Sequence, residues 1–272
     1  MATVITMMSL KGGTGRTTLA ANLASVLTQN RRACFALDLD PQNSLGLHFG
    51  MPPGEQTGIS WKGVNRSHVN DFRHRNRARV PILPFGQCSA RELADLEDEM
   101  HEDPYWLHRA VDRLTPDDCQ FVILDTPGYG VWMEQAVRVA DLVLVSMLPD
   151  GASFATLPAT EQFLARHCAE HEHDRRWYYL INQSDGRTTL GRDAVDAARD
   201  MLGRQVLPIT IPYDSAVPEA LTRQRPLIEE APGSQVLRSL WSLAEWMANS
   251  QATQVSRYPQ LTTSKKSVGY LK

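Results

Sequence analysis

The chain has little cysteine, no long apolar run and no strong excess of either charge, and each absence removes a class of protein. Its four cysteines, Cys34, Cys88, Cys119 and Cys168, lie far apart with no C-x-x-C pair. Neither a disulfide framework nor a zinc knuckle is predicted, and a reducing, cytoplasmic setting is the simplest expectation. The longest apolar stretch, Leu142 to Leu148, is broken by Ser146 and falls far short of the roughly 20 residues that span a bilayer. The opening residues, MATVITMMSLKGG, carry neither a charged leader nor a small-residue cleavage site, so no signal peptide and no membrane span are expected. The 28 lysines and arginines against 31 aspartates and glutamates leave a net charge of −3. That balance argues against coating nucleic acid through overall charge, because such binding draws on neutralised phosphates.

What is present is 272 residues of ordinary globular composition, enough for one large α/β domain or two small ones. Short apolar runs alternate with longer segments of helical period, the pattern of a doubly wound, mainly parallel sheet. Strands are predicted at Thr3 to Met8, Ala33 to Leu39, Val80 to Phe85, Phe121 to Leu124, Leu142 to Met147, Trp177 to Ile181 and Val206 to Ile211. Helices are predicted at Thr17 to Thr28, Ala90 to Met100, Tyr105 to Leu114, Met133 to Val139, Phe154 to Ala169 and Arg192 to Leu202, with Ser234 to Ala248 closing the domain. Met51 to Arg79, with paired prolines, scattered glycines and many basic residues, reads as an insertion or mobile loop. From Asn249 to Lys272 the chain is polar and reads as a flexible tail. A single domain over residues 1–248 is expected, with no second domain.

Three segments carry chemistry. After the first strand come Ser9-Leu10-Lys11-Gly12-Gly13-Thr14-Gly15-Arg16-Thr17-Thr18 and then a helix. Glycines let successive N–H groups turn inward around phosphates, the helix N-terminus adds its dipole, and the Thr17 hydroxyl can hold Mg²⁺. Against G-x-x-x-x-G-K-[ST], Leu10 replaces the first glycine and Arg16 the lysine. The second strand ends in Asp38-Leu39-Asp40-Pro41-Gln42, whose carboxylates at i and i+2 point the same way. A third apolar run closes on Leu124-Asp125-Thr126-Pro127-Gly128, the position that holds the metal in P-loop NTPases. Taken singly these segments read equally well as a glycine turn, an Asp-Pro turn and a strand end. Their order and context point to a nucleotide.

With Lys11 directly before the glycine pair, the loop resembles the deviant Walker A motif of MinD/ParA-type ATPases. Asp38-Leu39-Asp40-Pro41-Gln42 is similar to that family's switch I, Leu124 to Gly128 to its Walker B and switch II, and Leu180-Ile181-Asn182-Gln183 and Ile211-Pro212-Tyr213-Asp214 to its base-binding segments. Within the family, Val80 to Ser89 (VPILPFGQCS), the chain length and the replaced loop lysine resemble BcsQ, the MinD-like group encoded with bacterial cellulose synthase. The resemblance covers about Thr3 to Ala248 and implies a single-domain P-loop NTPase fold of the SIMIBI type.

It also implies roles. ATP and Mg²⁺ would be the cofactors, and two chains would dimerise face to face around two ATP molecules. Lys11 would act in trans on the partner's γ-phosphate, and Asp40 would position the hydrolytic water. Gly12, Gly13, Thr14, Gly15, Arg16, Thr17 and Thr18 would cradle phosphates. Thr17 would place Mg²⁺ directly and Asp125 through water, with Asp38 supporting the metal shell. Asn182, Pro212 and Asp214 would hold adenine. A guanidinium is a planar fork where a lysine is a compact charge, so Arg16 implies ATP binding with slow or absent hydrolysis. The expected function is an ATP-dependent switch or scaffold in cellulose secretion, with protein partners at the inner membrane and peripheral recruitment through them. A ParA-type partitioning ATPase and a non-hydrolysing ATP-bound scaffold are the alternatives.

Other features are set aside. Arg66, Arg73, Arg75, Arg77 and Arg79, with His68 and His74 and only Asp71 opposing, form a basic segment that suits a solvated loop, a protein partner or, less readily, DNA. His167, Cys168, His171 and His173 crowd one helix end, which reads as exposed rather than metal-binding. The tail lacks the wide apolar stripe of a membrane-anchoring helix.

Overall fold

Strands made of unbroken apolar runs need cover on both faces, and helices supply it here. The computed structural model describes residues 2–52, 54–61, 63–75, 78–168 and 177–253. In chain order the elements are β1 (Thr3–Met8), α1 (Arg16–Gln29), β2 (Cys34–Asp38), a 3₁₀ turn (Leu45–Phe49), α2 (Arg66–Arg75), β3 (Ile82–Leu83), α3 (Ala90–Glu102), α4 (Trp106–Leu114) and β4 (Phe121–Asp125). There follow α5 (Val131–Val139), β5 (Leu142–Met147), α6 (Gly151–Ala155), α7 (Leu157–His167), β6 (Trp177–Ile181), α8 (Thr189–Leu202), α9 (Ala216–Thr222), α10 (Leu227–Glu230) and α11 (Gln235–Thr253).

The six strands lie in the order β3-β2-β4-β1-β5-β6, all parallel. β1 sits between β4 and β5, with Ile5 and Met7 fully buried. Because β2 and β3 lie to one side of it and β5 and β6 to the other, the chain changes direction beside β1. A ligand crevice opens at the carboxyl ends of strands at such a point. α1, buried along Leu19 to Leu27, packs on α11, whose Val236, Leu237, Leu240, Leu243, Ala244 and Met247 form the apolar face read from the sequence. A second apolar cluster, including Val143, Met147, Leu164, Tyr179 and Ala198, joins β5 and β6 to α7 and α8.

Three regions differ from the periodicity. The segment 51–79 carries a helix: α2 buries Val69 and Phe72, and Met51, Ile59 and Val64 are buried ahead of it. The chain before α2 zips alongside the short edge strand, with Ile59 N–H donating to Pro84 O (3.1 Å) and Ser60 N–H to Phe85 O (3.0 Å). A Cβ on Gly58 would stand 2.3 Å from the Phe85 and Gly86 backbone, so only glycine permits this approach. Arg66 is pinned to the end of α4, donating to Arg113 O (2.9 Å) and pairing with Asp117 (2.6 Å).

The seventh strand does not form. Val206 to Ile211 makes only isolated bridges, Tyr179 to Val206 and Ser184 to Pro212, because its register slips: Leu207 N–H donates to Tyr179 O (2.9 Å), but the next donor is Ile211 N–H, to Ile181 O (2.9 Å), so the segment advances further than β6 does. The helix read from Phe154 to Ala169 is two, α6 and α7, broken at Thr156 beside a proline in the first turn of α7. His167 is not an exposed helix end: it is half-buried on Phe163, with ring centroids 4.5 Å apart. His171, His173, Arg77 and the tail from residue 254 lie outside the described residues.

Phe72→Ala is expected to lower stability by about 3 kcal/mol, the cost of emptying a buried aromatic site. Denaturant unfolding measures it, and a change below about 0.5 kcal/mol would mean that the 51–79 segment is not docked.

Candidate functional site

The loop between β1 and α1 is held from below by side chains that reach it from other strands. Thr14 O accepts from Ser146 Oγ on β5 (2.8 Å) and from Asn182 Nδ2 just past β6 (2.7 Å). Gly13 and Gly15 have φ of 73° and 87°, left-handed values that favour glycine. At Gly15 there is a second requirement, since a Cβ there would meet Asn182 Nδ2 at 2.5 Å. Gly12 and Gly13 are exposed and open at the surface. Leu10 keeps an ordinary backbone and packs against the β5–β6 cluster, which is how the chain accommodates a side chain in place of the first glycine.

The carboxylates meet beside this loop. Asp38 and Asp125 are register partners at the ends of β2 and β4, both fully buried. Asp38 accepts Asp40 N–H at Oδ1 (3.0 Å) and Leu45 N–H at Oδ2 (2.9 Å), so it shapes the turn after β2. Asp40 is half-buried and accepts Gln42 N–H (2.9 Å). Asp125 differs: both its oxygens are buried with no hydrogen-bond partner. Burial pushes its carboxyl up to about 7, with the Asp40 charge adding to the rise and the Thr17 hydroxyl and Arg16 guanidinium drawing it back. Burial, and after it the Asp125 charge, also hold Asp38 well above the usual carboxylate range. Buried carboxylate oxygens normally have partners. Bare oxygens beside a threonine hydroxyl and a phosphate loop are a hard-oxygen donor set, which fits Mg²⁺.

Two cations border the loop. Lys11 Nζ pairs with Asp150 Oδ2 at 2.6 Å and reaches Ser153 Oγ at 3.3 Å. Asp150 caps α6, accepting Ser153 N–H at 2.7 Å. Burial raises the Asp150 carboxyl, but the hydrogen bonds from Lys11 and Ser153 outweigh it and leave it below the usual range. Arg16 Nη1 donates to Ser9 O at 2.5 Å. Thr18, at the start of α1, accepts at its carbonyl from Asn22 Nδ2 (2.8 Å).

The structure thus brings Lys11 to Thr18, Asp38, Asp40, Asp125 and Asn182 to one end of the sheet. Asn182 is engaged with the loop, and its Oδ1 also accepts Gln183 N–H (2.9 Å). Pro212 and Asp214 are carried next to it by the Ser184 bridge, with Asp214 Oδ1 accepting Ala216 N–H (3.0 Å). Ser146, Asp150 and Ser153 were missed by reasoning from sequence. The capping pattern Asp150-Gly151-Ala152-Ser153 after an apolar run was the available signal, but nothing local ties it to Lys11, 139 residues away.

An all-parallel sheet with a glycine loop at its switch point and a buried acid on the adjoining strand defines a P-loop nucleotide-binding protein of the MinD/ParA type. The family model "Cellulose biosynthesis protein BcsQ" matches residues 1–248, and the chain belongs to that family. It is 24% identical over 245 residues to the cellulose biosynthesis protein BcsQ of Salmonella typhimurium, covering 89% of this chain and 93% of that one. A Rhizobium rhizogenes protein named as a replication protein A is 47% identical over 246 residues, which cover 81% of this chain and 60% of that protein. Among solved structures, the septum site-determining protein MinD of Pyrococcus horikoshii, complexed with Mg-ADP, shares the fold with a TM-score of 0.69 at 20% identity, covering 93% of this chain and 98% of that one.

The raised Asp125 pKa sets a sign for stability. The folded chain keeps its proton up to about 7, while the unfolded carboxyl releases it near 3.8, so this group's ionisation costs stability as pH rises between the two. Asp125→Asn is therefore expected to melt above wild type at about pH 8 in thermal scans without nucleotide, the gap shrinking toward about pH 5. A gap independent of pH would contradict it.

Proposed function

We propose that the protein is an ATP-dependent dimerising switch, serving as a scaffold in cellulose or related exopolysaccharide secretion, with slow or impaired ATP hydrolysis. The observation that carries this reading is the placement of Lys11. The residue before the glycine pair sits at the rim of the loop, held by a carboxylate that is itself partly exposed, with side-chain exposures of 22% for Lys11 and 43% for Asp150. A pair this wet is worth about 0.2–1 kcal/mol, so it parks the lysine without committing it. A partner chain's phosphates, carrying more charge than one carboxylate, would draw Lys11 across an isologous interface.

Within one chain the backbone N–H groups of Gly12 to Thr18 would bind the phosphates, with the α1 N-terminus adding its dipole. Thr17 and Asp125 would hold Mg²⁺, and Asp38 would keep the turn after β2 in shape behind them. The metal, when bound, neutralises charge on the phosphates. Asp40, half-buried and beside Asp125, would orient the attacking water. Asn182, Pro212 and Asp214 would border the adenine. Arg16 supplies a cation at the loop lysine's position, but its guanidinium is directed to Ser9 O rather than into the phosphate cradle. Slow turnover is expected from that geometry.

The family match favours secretion partners at the inner membrane, reached by peripheral recruitment from the cytoplasm. No helix among the described residues is long and apolar enough to cross a membrane. A partitioning role on DNA is the second reading, and the 47% identity to the replication protein favours some action on DNA. It is disfavoured by the net charge of −3, which leaves phosphate contacts to one short basic segment. Binding to random duplex DNA with ATP, compared at low and moderate salt, separates the two readings, since phosphate-driven binding weakens steeply with salt.

Light scattering with the slowly hydrolysed analogue ATPγS and Mg²⁺ tests the switch. Wild type is expected to shift from its 30.4 kDa monomer mass to twice that, Lys11→Ala to remain monomeric while still binding nucleotide, and Asp150→Ala to dimerise about twofold to fivefold more readily. A Lys11→Ala chain that dimerises like wild type would overturn the reading.

A further inference from the structure

β5 carries one polar residue in an otherwise apolar run, and that residue, Ser146, is fully buried. A hydroxyl so placed costs stability unless it finds a partner. Its partner is the glycine loop: Ser146 Oγ donates to Thr14 O at 2.8 Å, across 132 positions of the chain. The sheet order makes this contact. β5 lies beside β1 with Val145 opposite Met8, so Ser146 stands level with the first residue past β1. The same carbonyl accepts from Asn182 Nδ2 at 2.7 Å, and a carbonyl oxygen has two lone pairs to give. Thr14 O is therefore held from two strands at once. Ser146, with its single O–H, has no donor left for anything else.

The peptide that joins Thr14 to Gly15 is trans, and in a planar trans peptide the C=O and N–H point in opposite directions. With the carbonyl drawn toward β5 and the residue after β6, the Gly15 N–H is turned to the open side of the loop. It makes no hydrogen bond among the described residues, and Gly15 is the residue from which α1 starts. We propose that Ser146 is a positioning residue for phosphate: by holding Thr14 O it fixes the peptide plane that aims the Gly15 N–H at a bound phosphate oxygen. Ser146 is also the brace that a nucleotide's base does not disturb. Asn182 is expected to border the adenine, so a base competes for its polar atoms, whereas Ser146 lies on β5 behind the loop and acts on the phosphate end alone. The inference rests on the proposed function, because it takes the loop's ligand to be a phosphate chain.

Calorimetry on the full-length chain, wild type and Ser146→Ala, with Mg²⁺ and two probes tests this. The probes are ATPγS and inorganic tripolyphosphate, which has the phosphates and no base. Ser146→Ala is expected to weaken both by the same factor, about threefold to tenfold, the effect of losing one hydrogen bond that orients the donor. A hydroxyl that only stabilises the fold would lower the melting temperature of the free chain and leave the folded chain's affinity for either probe unchanged. Wild-type affinity for both probes in Ser146→Ala would therefore overturn the positioning role. So would a loss confined to ATPγS, since that places the effect at the base. A wild-type chain that binds neither probe would overturn the nucleotide reading and this role with it, whereas normal wild-type binding beside an unaffected Ser146→Ala chain would overturn this role alone.

Discussion

Asp125 carries a carboxylate into the protein interior, where only the Thr17 hydroxyl and the Arg16 guanidinium ease its charge. It is the last residue of β4, and the strand's apolar run of Phe121 to Leu124 is what drives it there. An ion so placed is costly unless a partner arrives, and within reach are two further acids, Asp38 and Asp40, which make matters worse. The neighbouring cation, Arg16, offsets the repulsion only in part, because its hydrogen bond is made to Ser9 O. Much of the remaining architecture is explained by this constraint. The turn after β2 is fixed by the Asp38 oxygens, the loop after β1 is fixed by Ser146 and Asn182, and the acids converge on a place where a divalent cation would relieve their charge.

The same end of the sheet is built from parts of unequal stiffness. The loop is braced from β5 and from the residue after β6, and Gly15 is packed so tightly on Asn182 that no side chain fits between them. Lys11 is held instead by side chains alone, Asp150 and Ser153, in a partly exposed pairing. A rigid cradle beside a lightly held lysine suits a ligand-operated switch, since a ligand moves only those parts whose alternatives differ little in free energy.

Much of this was legible in the sequence because it is local. β1, β5 and β6 are mainly apolar runs, and they appear at the boundaries that the pattern gives. The loop, the Asp38–Asp40 pair and Asp125 were visible for the same reason, each closing a strand. What was not legible depends on distance or on few residues. α2 buries only Val69 and Phe72 in an otherwise polar stretch, too sparse a stripe to register as a helix. Val206 to Ile211 has the composition of a strand, but its register against β6 slips between Leu207 and Ile211, which composition does not encode. Asp150 and Asn182 are brought to the loop by the sheet order, which no single segment encodes.

If the site is built around Asp125, that carboxyl gives up a proton when a metal-bound nucleotide arrives. Calorimetry of Mg²⁺-ATPγS binding in two buffers of different ionisation enthalpy, at about pH 6, counts that proton directly. The predicted result is release of a substantial fraction of one proton beyond what the ligand itself gives up, falling toward zero by about pH 8. Tight binding at about pH 6 with no such release would mean that Asp125 is already ionised, and that the bare carboxylate is not what the site is built around.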